Sequence, residues 1–372
     1  MQKIKRMICQ LEKKDIQEIR PSNILPQTTF WGRIKSEQGF TPFGFEITVS
    51  KNLLNSAAKS QLKITDDLLV LIKYINSFHC FAYVPFGPKL EPDFENHGLF
   101  LEQLSETIRA HLPANCIFIR YDLKWENQWA AEEDYFDNSG NWLGPPQAQV
   151  QEFRVNFNTA NWNLKKSPED ILPKNTFFLD LTQKEKDLLQ NMRYNTRYNI
   201  RQAQKKGIRV REYGPEYISD WYKLYCETAK RHQMPLQDEH FFTTILKNQD
   251  NSKNGVNVKM LMAEKNGKFL SSMFLVLSNK RANYLYGASA SNQNLPASYA
   301  LQWESIKIAK SSGCLEYDMF GSAPNLNRKH PLHGVHIYKK GFGGNLFHRM
   351  GCWDYPYLQK EYDLFRLQEI SN

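Results

Sequence analysis

Apolar positions alternate or run together in three early stretches, GFEITVS (44–50), DLLVLIKYI (67–75) and FHCFAYVPF (78–86), and each predicts a strand. Ahead of them, after a mixed lead-in over 1–30, LPQTTFWGRIKSEQGF (25–40) puts Phe30, Trp31 and Ile34 on one side of a short amphipathic helix. FGPKL (86–90) is a turn by its Gly-Pro pair. LFLEQLSETIRAHL (99–112) has apolar residues at helical spacing, and NCIFIRYDL (115–123) reads as a buried strand. The order strand, strand, helix, strand predicts an α/β or α+β domain. Residues 124–175, rich in Asn, Trp, Gln, Pro and Gly, read as a loop-rich connection.

TFFLDL (176–181) opens a second unit with a strand. A helix is predicted over Thr182–Lys206, with Thr182 and Glu185 in a capping-box arrangement and Gly207 as its stop. Helices follow over 215–233 and 238–248, then a hairpin-like loop over 248–257. The stretch from Val258 to Ala290 reads as three strands with turns at Asn266-Gly267 and Asn279-Lys280. A helix over 296–313 ends at Gly313, and CLEYDMFG (314–321) is a strand. The two halves share one plan, which points weakly to a structural repeat, and no short-period repeat or low-complexity tract is visible.

Composition narrows the class. The chain has 372 residues, long enough for two to three domains, with 41% hydrophobic and 23% charged residues. Those values exclude a mainly disordered or fibrous chain. Mean hydropathy is −0.59 and no run approaches the length of a membrane-spanning helix. MQKIKRMICQLEKKDIQEI has no apolar core of signal-peptide type, so a cytoplasmic location is expected. Cys9, Cys80, Cys116, Cys226, Cys314 and Cys352 form no C-x-x-C pair, which argues against a zinc site or a disulfide framework. Lys plus Arg number 48 against 39 Asp plus Glu, a formal charge of +9 that favours polyanionic partners.

Three stretches are candidates for chemistry. Arg193, Arg197, Arg201 and Lys205 recur at four-residue spacing on the predicted 182–206 helix and form an inclined basic ridge. Like charges at that spacing cost a few tenths of a kcal/mol per pair, a cost that phosphate contacts offset. Tyr194 and Tyr198 beside them are suited to stacking on bases; a solvated helix face is the plain alternative. HPLHGVHIYKKGFGGN (330–345) joins three histidines, Lys339 and Lys340, and Gly341, Gly343 and Gly344. Its glycines allow close backbone approach to a ligand, and its lysines suit a phosphate or an oxyanion. Pro331 disfavours a helix here, and no carboxylate accompanies His330, His333 and His336, so they read as turn or packing residues and not as metal ligands. In YLYGASA, Tyr284 and Tyr286 fall on one face of a strand, lining a cleft or half-buried in a core. Cys226 reads as structural. P-loop, dinucleotide-binding and serine-hydrolase signatures are missing.

Several segments together resemble the Fem family, transferases that move amino acids from aminoacyl-tRNA to peptidoglycan precursors. QTTFWGRIKSEQGF, with Trp31 and Lys35, resembles its entry helix, and YVPFGPKL resembles the turn after the first central strand. NMRYNTRYNIRQAQKKGIRVRE resembles its basic helix and following strand, and LPASYALQWESIKIAKSSGCLEYDMFG its last long helix and strand. HGVHIYKKGFGGNLFHRMGCWDYP resembles its closing motif, with Tyr338, Lys339, Phe342 and Gly343 in the motif positions and tyrosine where phenylalanine is usual. The long charged helical arm of the longest members has no counterpart here.

The resemblance implies two domains like the Gcn5-related N-acetyltransferase (GNAT) fold, each a mixed, mostly antiparallel sheet flanked by helices, over 1–150 (with 346–372 returning) and 151–345. It implies an aminoacyltransferase acting on a uridine- or undecaprenyl-linked muropeptide, with aminoacyl-tRNA as co-substrate, no cofactor and no metal. Lys35 and Arg231 would hold the diphosphate, Tyr284 and Tyr286 would line that cleft, Lys339 would stabilise charge on the transferring ester and Tyr338 would pack beside it. Arg193, Arg197, Arg201 and Lys205 would meet tRNA. Peripheral contact with the inner membrane face is a further expectation. Two rivals remain: an acetyl-CoA-dependent acyltransferase, which lacks its glycine-rich turn in ASNQNLPASYA, and a tRNA-binding protein without enzymatic activity. A Fem-like enzyme for some other acceptor is a third.

Overall fold

The computed structural model describes residues 8–50, 54, 63–249, 255–291 and 295–371. Residues 1–7, the middle of the 248–257 loop and the middle of ASNQNLPASYA lie outside them. The chain divides into two compact units: residues 1–20, 26–174 and 348–372 form the first, and 21–25 and 175–347 the second.

In the first unit, β1 (Ile8–Lys14), β2 (Phe40–Ser50), β3 (Lys63–Tyr74) and β4 (Cys80–Pro85) pair antiparallel in sequence order. The chain then crosses over through a helix, and β5 (Cys116–Glu126) returns parallel to β4. The closing strand, Asn345–Pro356, pairs antiparallel with β5 on its other side. The strands carry near-continuous apolar runs because both faces of the sheet are covered: Leu68 to Leu71 are all fully buried. Helix α1 (Thr29–Glu37) covers one part of it, with Phe30, Trp31 and Ile34 buried as their spacing predicts and the Thr28 hydroxyl capping the Trp31 amide. The crossover helix, α2 (His97–Arg109), buries Phe100, Leu101, Leu104 and Ile108.

The boundary expected at 150/151 falls instead after Lys174. The segment read as a loop contains helix α3 (Ala148–Asn156) and the two-residue strand β6 (Lys165–Lys166), and β6 pairs with the closing strand. Helix α3 lies directly on α2, where a Cβ on Gly98 would sit 1.7 Å from the Val155 carbonyl oxygen. Only glycine permits that approach. The returning segment begins at His348 and ends in the closing helix Gln359–Ser371. That helix is held by Arg120, which makes paired hydrogen bonds of 2.7 and 2.8 Å to Asp354 and of 2.6 and 2.8 Å to Glu369.

The second unit repeats the plan. Its strand order is β7 (Asn175–Asp180), β12 (Glu316–Asp318), β11 (Arg281–Ser289), β10 (Lys268–Ser278), β9 (Val256–Lys265) and β8 (Arg209–Tyr213). All these neighbours are antiparallel except β11 and β12, which are parallel and joined through α8 (Ala297–Ser311). Even a detail recurs. Ser105 on α2 meets the Tyr121 hydroxyl at 2.9 Å, and Ser305 on α8 meets that of Tyr317 at 2.8 Å. Each pair ties a crossover helix to the parallel strand that follows it.

One predicted helix is two. Helix α4 (Glu185–Asn191) ends at Met192, whose ψ of 150° is extended, and α5 (Tyr194–Lys205) begins after Arg193 in the same conformation. Thr182 caps neither, because its hydroxyl donates to Asp180. The remaining helices of this unit are α6 (Ile218–His232), α7 (Glu239–Lys247) and α9 (His333–Lys340). Pro331 does not prevent α9, which starts two residues after it. The fold class is thus α/β with mixed, mostly antiparallel sheets flanked by helices. No helix among the described residues is long and apolar enough to cross a membrane.

Candidate functional site

Lys339 lies in the last turn of α9 and is buried, 5% exposed. Its ammonium donates to the carbonyl oxygens of Phe320 (2.8 Å) and Gly321 (2.6 Å) and lies 5.2 Å from the centre of the Tyr284 ring. Those carbonyls converge because Phe320 adopts a left-handed conformation, φ 56°, costly for an aromatic residue. Asp318 secures that turn, its carboxylate accepting from the Phe320 amide at 2.8 Å and the Thr176 hydroxyl at 2.5 Å. Burial pulls the Lys339 ammonium down to about 7, against the opposing pull of the Asp318 charge. Among the described residues the two carbonyls are its hydrogen-bond acceptors, so two of the three N–H groups of the ammonium are used.

Tyr338 braces this turn. Its hydroxyl donates to the Ser298 carbonyl at 2.9 Å, and its ring meets Tyr299 and Phe342 edge-on, each at 5.2 Å. The glycines after it serve the protein's own packing and not ligand approach. A Cβ on Gly341 would fall 2.4 Å from the Thr196 hydroxyl, and one on Gly343, at φ 86°, 2.7 Å from the Asn191 carbonyl. His336 is likewise structural, its ring nitrogen Nδ1 2.9 Å from the Ala323 carbonyl oxygen.

Tyr284 and Tyr286 do not share a face. A bulge in the β10–β11 ladder pairs Tyr286 with Phe274 and Tyr284 with the adjacent Leu275, and adjacent residues point to opposite faces. Tyr284 therefore joins Lys339 and the core under α8, where burial raises its hydroxyl to about 12. Tyr286 enters an aromatic cluster instead, 5.2 Å from Phe242 and 5.8 Å from Phe241. Arg231, near the end of α6, reaches the end of β11, donating to the Ser289 hydroxyl at 2.9 Å and the Ser291 hydroxyl at 3.2 Å. These partners are neutral, so its charge stays available to an anion.

The basic ridge is divided by the helix break. Arg193 is the N-cap residue of α5, its amide donating to the Gly341 carbonyl at 2.9 Å. Arg197 turns back to the Gln190 and Met192 carbonyls at the end of α4. Arg201 and Lys205 stay exposed. Tyr194 and Tyr198, 70% and 50% exposed, stack with their centroids 6.5 Å apart on the same helix.

In the first unit Lys35 donates to the Gln38 side chain at 2.7 Å and lies over the Trp31 and Phe40 rings. The fold adds a residue that the pattern did not single out. Lys73, register partner of Phe40, donates to the Gln38 carbonyl at 2.9 Å and lies 4.9 Å over the same Phe40 ring. Neither lysine has a carboxylate within ion-pair distance among the described residues. Burial, and then the charge of Lys73, lower the Lys35 ammonium to about 8. Two half-buried like charges make a poor resting state and a good receptor for a doubly charged anion. Lys73→Ala should raise the Lys35 value without restoring it fully, since burial remains. Titration of the lysine Nζ resonances checks this, and an unmoved or lowered value contradicts it.

A model of the FemAB family matches residues 17–266 and 248–369. The lipid II:glycine glycyltransferase of Staphylococcus haemolyticus is 20% identical over 260 residues, 53% of this chain and 62% of that protein. The enzyme of the same name from Staphylococcus aureus is 28% identical over 137 residues, 37% of this chain and 32% of its own. The chain thus spans less than two thirds of the length of these curated relatives. The crystal structure of FemX superposes with a TM-score of 0.72 at 16% identity, covering 96% of this chain and all of that one, and so shares the fold. With nearly the whole sequence inside the two family matches, the chain belongs to the FemAB family.

Proposed function

We propose that this protein is an aminoacyltransferase that moves an amino acid from aminoacyl-tRNA to the stem-peptide amine of a diphosphate-linked muropeptide. The observation that carries this reading is the buried Lys339 ammonium, held by two carbonyls. In the transfer, the acceptor amine attacks the ester carbonyl. The carbon–oxygen bond to the terminal ribose breaks, an amide bond forms, and the proton lost by the amine ends on the ribose oxygen. The ester is already activated, so the protein's work is positioning and stabilising the oxyanion. Lys339 supplies the donor for that oxygen; Tyr338, Asp318 and the Phe320 turn hold Lys339 in place. Lys35 and Lys73 offer two positive charges to the diphosphate. Arg231 is a further cation available to phosphate. Relatives named as lipid II:glycine glycyltransferases support the reaction class and the muropeptide acceptor.

The tRNA is assigned to the exposed face of α5, where stacked Tyr194 and Tyr198 suit unpaired bases and Arg201 and Lys205 suit phosphates. Arg197, engaged with the end of α4, has a structural share in that helix. Exchanging Arg201 and Lys205 for glutamine should weaken tRNA binding and flatten its salt dependence by about two phosphate contacts. Fluorescence anisotropy at several salt concentrations measures both. An unchanged slope would make the face merely solvated, and tight binding of acetyl-CoA in place of tRNA would favour the acetyltransferase reading.

A further inference from the structure

Phe78, in the turn between β3 and β4, is 76% exposed on a backbone that is fixed. The Asn76 side chain accepts from the Phe78 and His79 amides at 2.8 and 2.9 Å, and the Asn115 side chain donates to the Phe78 carbonyl at 2.8 Å. A large aromatic side chain held in water by a rigid turn is a preformed anchor.

Beside it lies a slot of matching size. Between this turn and the closing helix is a cavity of about 170 Å³, floored by Ile75, Ile117, Leu364 and Phe365 and edged by Asn76 and His79. A cavity of about 150 Å³ holds one benzene ring, so the slot takes one phenylalanine side chain. Its floor is set by packing: Phe118 lies 5.1 Å from Phe365 and 5.2 Å from Phe81, centre to centre. Leu364 and Leu367, each 64% exposed, carry the apolar surface on along the helix. With large side chains at about 150–200 Å² each, the exposed parts of Phe78, Ile75, Leu364 and Leu367 amount to about 400 Å². With its polar edges, the patch is of the class that forms weak dimers, up to about 600 Å² per partner.

Charge and shape together select the occupant. Glu369 is taken up by Arg120, and Arg366 reaches the Lys166 carbonyl. Lys360, Glu361 and Asp363 remain, a mixed set on one helix. A strongly acidic or basic partner would meet a like charge there, whereas a second copy brings both signs to the contact. A two-fold contact also needs a projection and its receptor on the same face of one molecule, and Phe78 and the slot are adjacent.

We propose that this face joins two copies of the chain about a two-fold axis, the Phe78 ring of each entering the slot beside the closing helix of the other. The proposal does not depend on the proposed function.

Sedimentation velocity of the full chain over a range of concentrations tests it. The parent should move from 43.6 kDa toward twice that mass as concentration rises. Phe78→Ser removes the projection and Leu364→Glu spoils the slot. Each alone should weaken association by about tenfold or more, at an unchanged Tm because both side chains are largely exposed. Mixed in equal amounts, the two variants should associate more tightly than either does alone, since one projection and one slot survive in the mixed pair. A merely adhesive patch gives no such recovery. Phe153→Ser with Phe157→Ser, exposed on α3, should associate like the parent. A chain that is monomeric at every concentration would overturn the proposal, as would association that neither Phe78→Ser nor Leu364→Glu weakens. So would a mixture no tighter than its components, or association lost in the α3 variant alone.

Discussion

Lys339→Met should lower single-turnover aminoacyl transfer by about 10²–10³-fold, the usual effect of removing one oxyanion donor. The affinity for tRNA should be retained, because the exposed face of α5 is untouched. The effect is large because the ammonium is dry and fixed. Two carbonyls and the Tyr284 face hold it in position, so it needs no reorganisation as charge develops. The same burial gives a pH signature. The ammonium has been pulled down to about 7 in the folded protein, from an ordinary value of 10.5. The cation is therefore complete below pH 7 and is lost as pH rises through it. The acceptor amine changes in the other sense, so the useful quantity is the ratio of parent to variant rates. That ratio should be largest on the acid side and should shrink above pH 7. Folding carries the complementary sign. Between pH 7 and 10.5 the unfolded chain holds the proton more firmly, so the cost of burying Lys339 is complete below pH 7 and fades as pH approaches 10.5.

Arg120→Met should destabilise the first unit by about 3–5 kcal/mol, the usual cost of leaving one partner of a buried ion pair alone. Arg120 is 2% exposed and Asp354 is fully buried, joined by two hydrogen bonds. Without the guanidinium, Asp354 retains the Tyr362 hydroxyl at 3.0 Å and little else to offset its charge. The closing helix loses its paired bonds at Glu369 in the same step. Urea unfolding should show the lower midpoint, and hydrogen exchange should show the closing helix opening first. Adding Asp354→Asn should recover part of the loss, because the orphaned charge is then gone. A double variant weaker than the single one would show that packing, and not the unpaired carboxylate, sets the cost.

The central strands of both units could be read from sequence because their apolar runs reflect burial on both faces, and α8 because its spacing and its glycine stop agree, whereas β1 was hidden in the mixed lead-in and β6 in the segment read as a loop. The first unit's boundary could not. Placing α3 with α2 depends on the absence of one Cβ at Gly98, which sequence spacing does not show. The continuous helical spacing over 182–206 hid the extended residues Met192 and Arg193, whose position is set by the glycines of the closing motif packing against Asn191 and Thr196. Tyr284 and Tyr286 obey strand alternation on paper and are parted by a single bulge. Lys339 is a candidate both from the lysines and glycines of its stretch and from the resemblance, but neither shows its surroundings. Its carbonyl cage depends on the turn at Phe320, almost twenty residues earlier in the chain, and on a β7 threonine that bonds Asp318. Lys73 lies near the end of the DLLVLIKYI run, and only the β2–β3 register brings it to Phe40 and Gln38 beside Lys35.

The central claim concerns the identity of the acyl group and of its carrier. Mass spectrometry of uridine- and undecaprenyl-linked muropeptides after incubation with total charged tRNA addresses both. The account predicts a product heavier by one aminoacyl residue, dependent on intact tRNA and formed about 10²–10³-fold more slowly with Lys339→Met. An unaltered muropeptide with either carrier, or a gain of acetyl mass from acetyl-CoA instead, would contradict it.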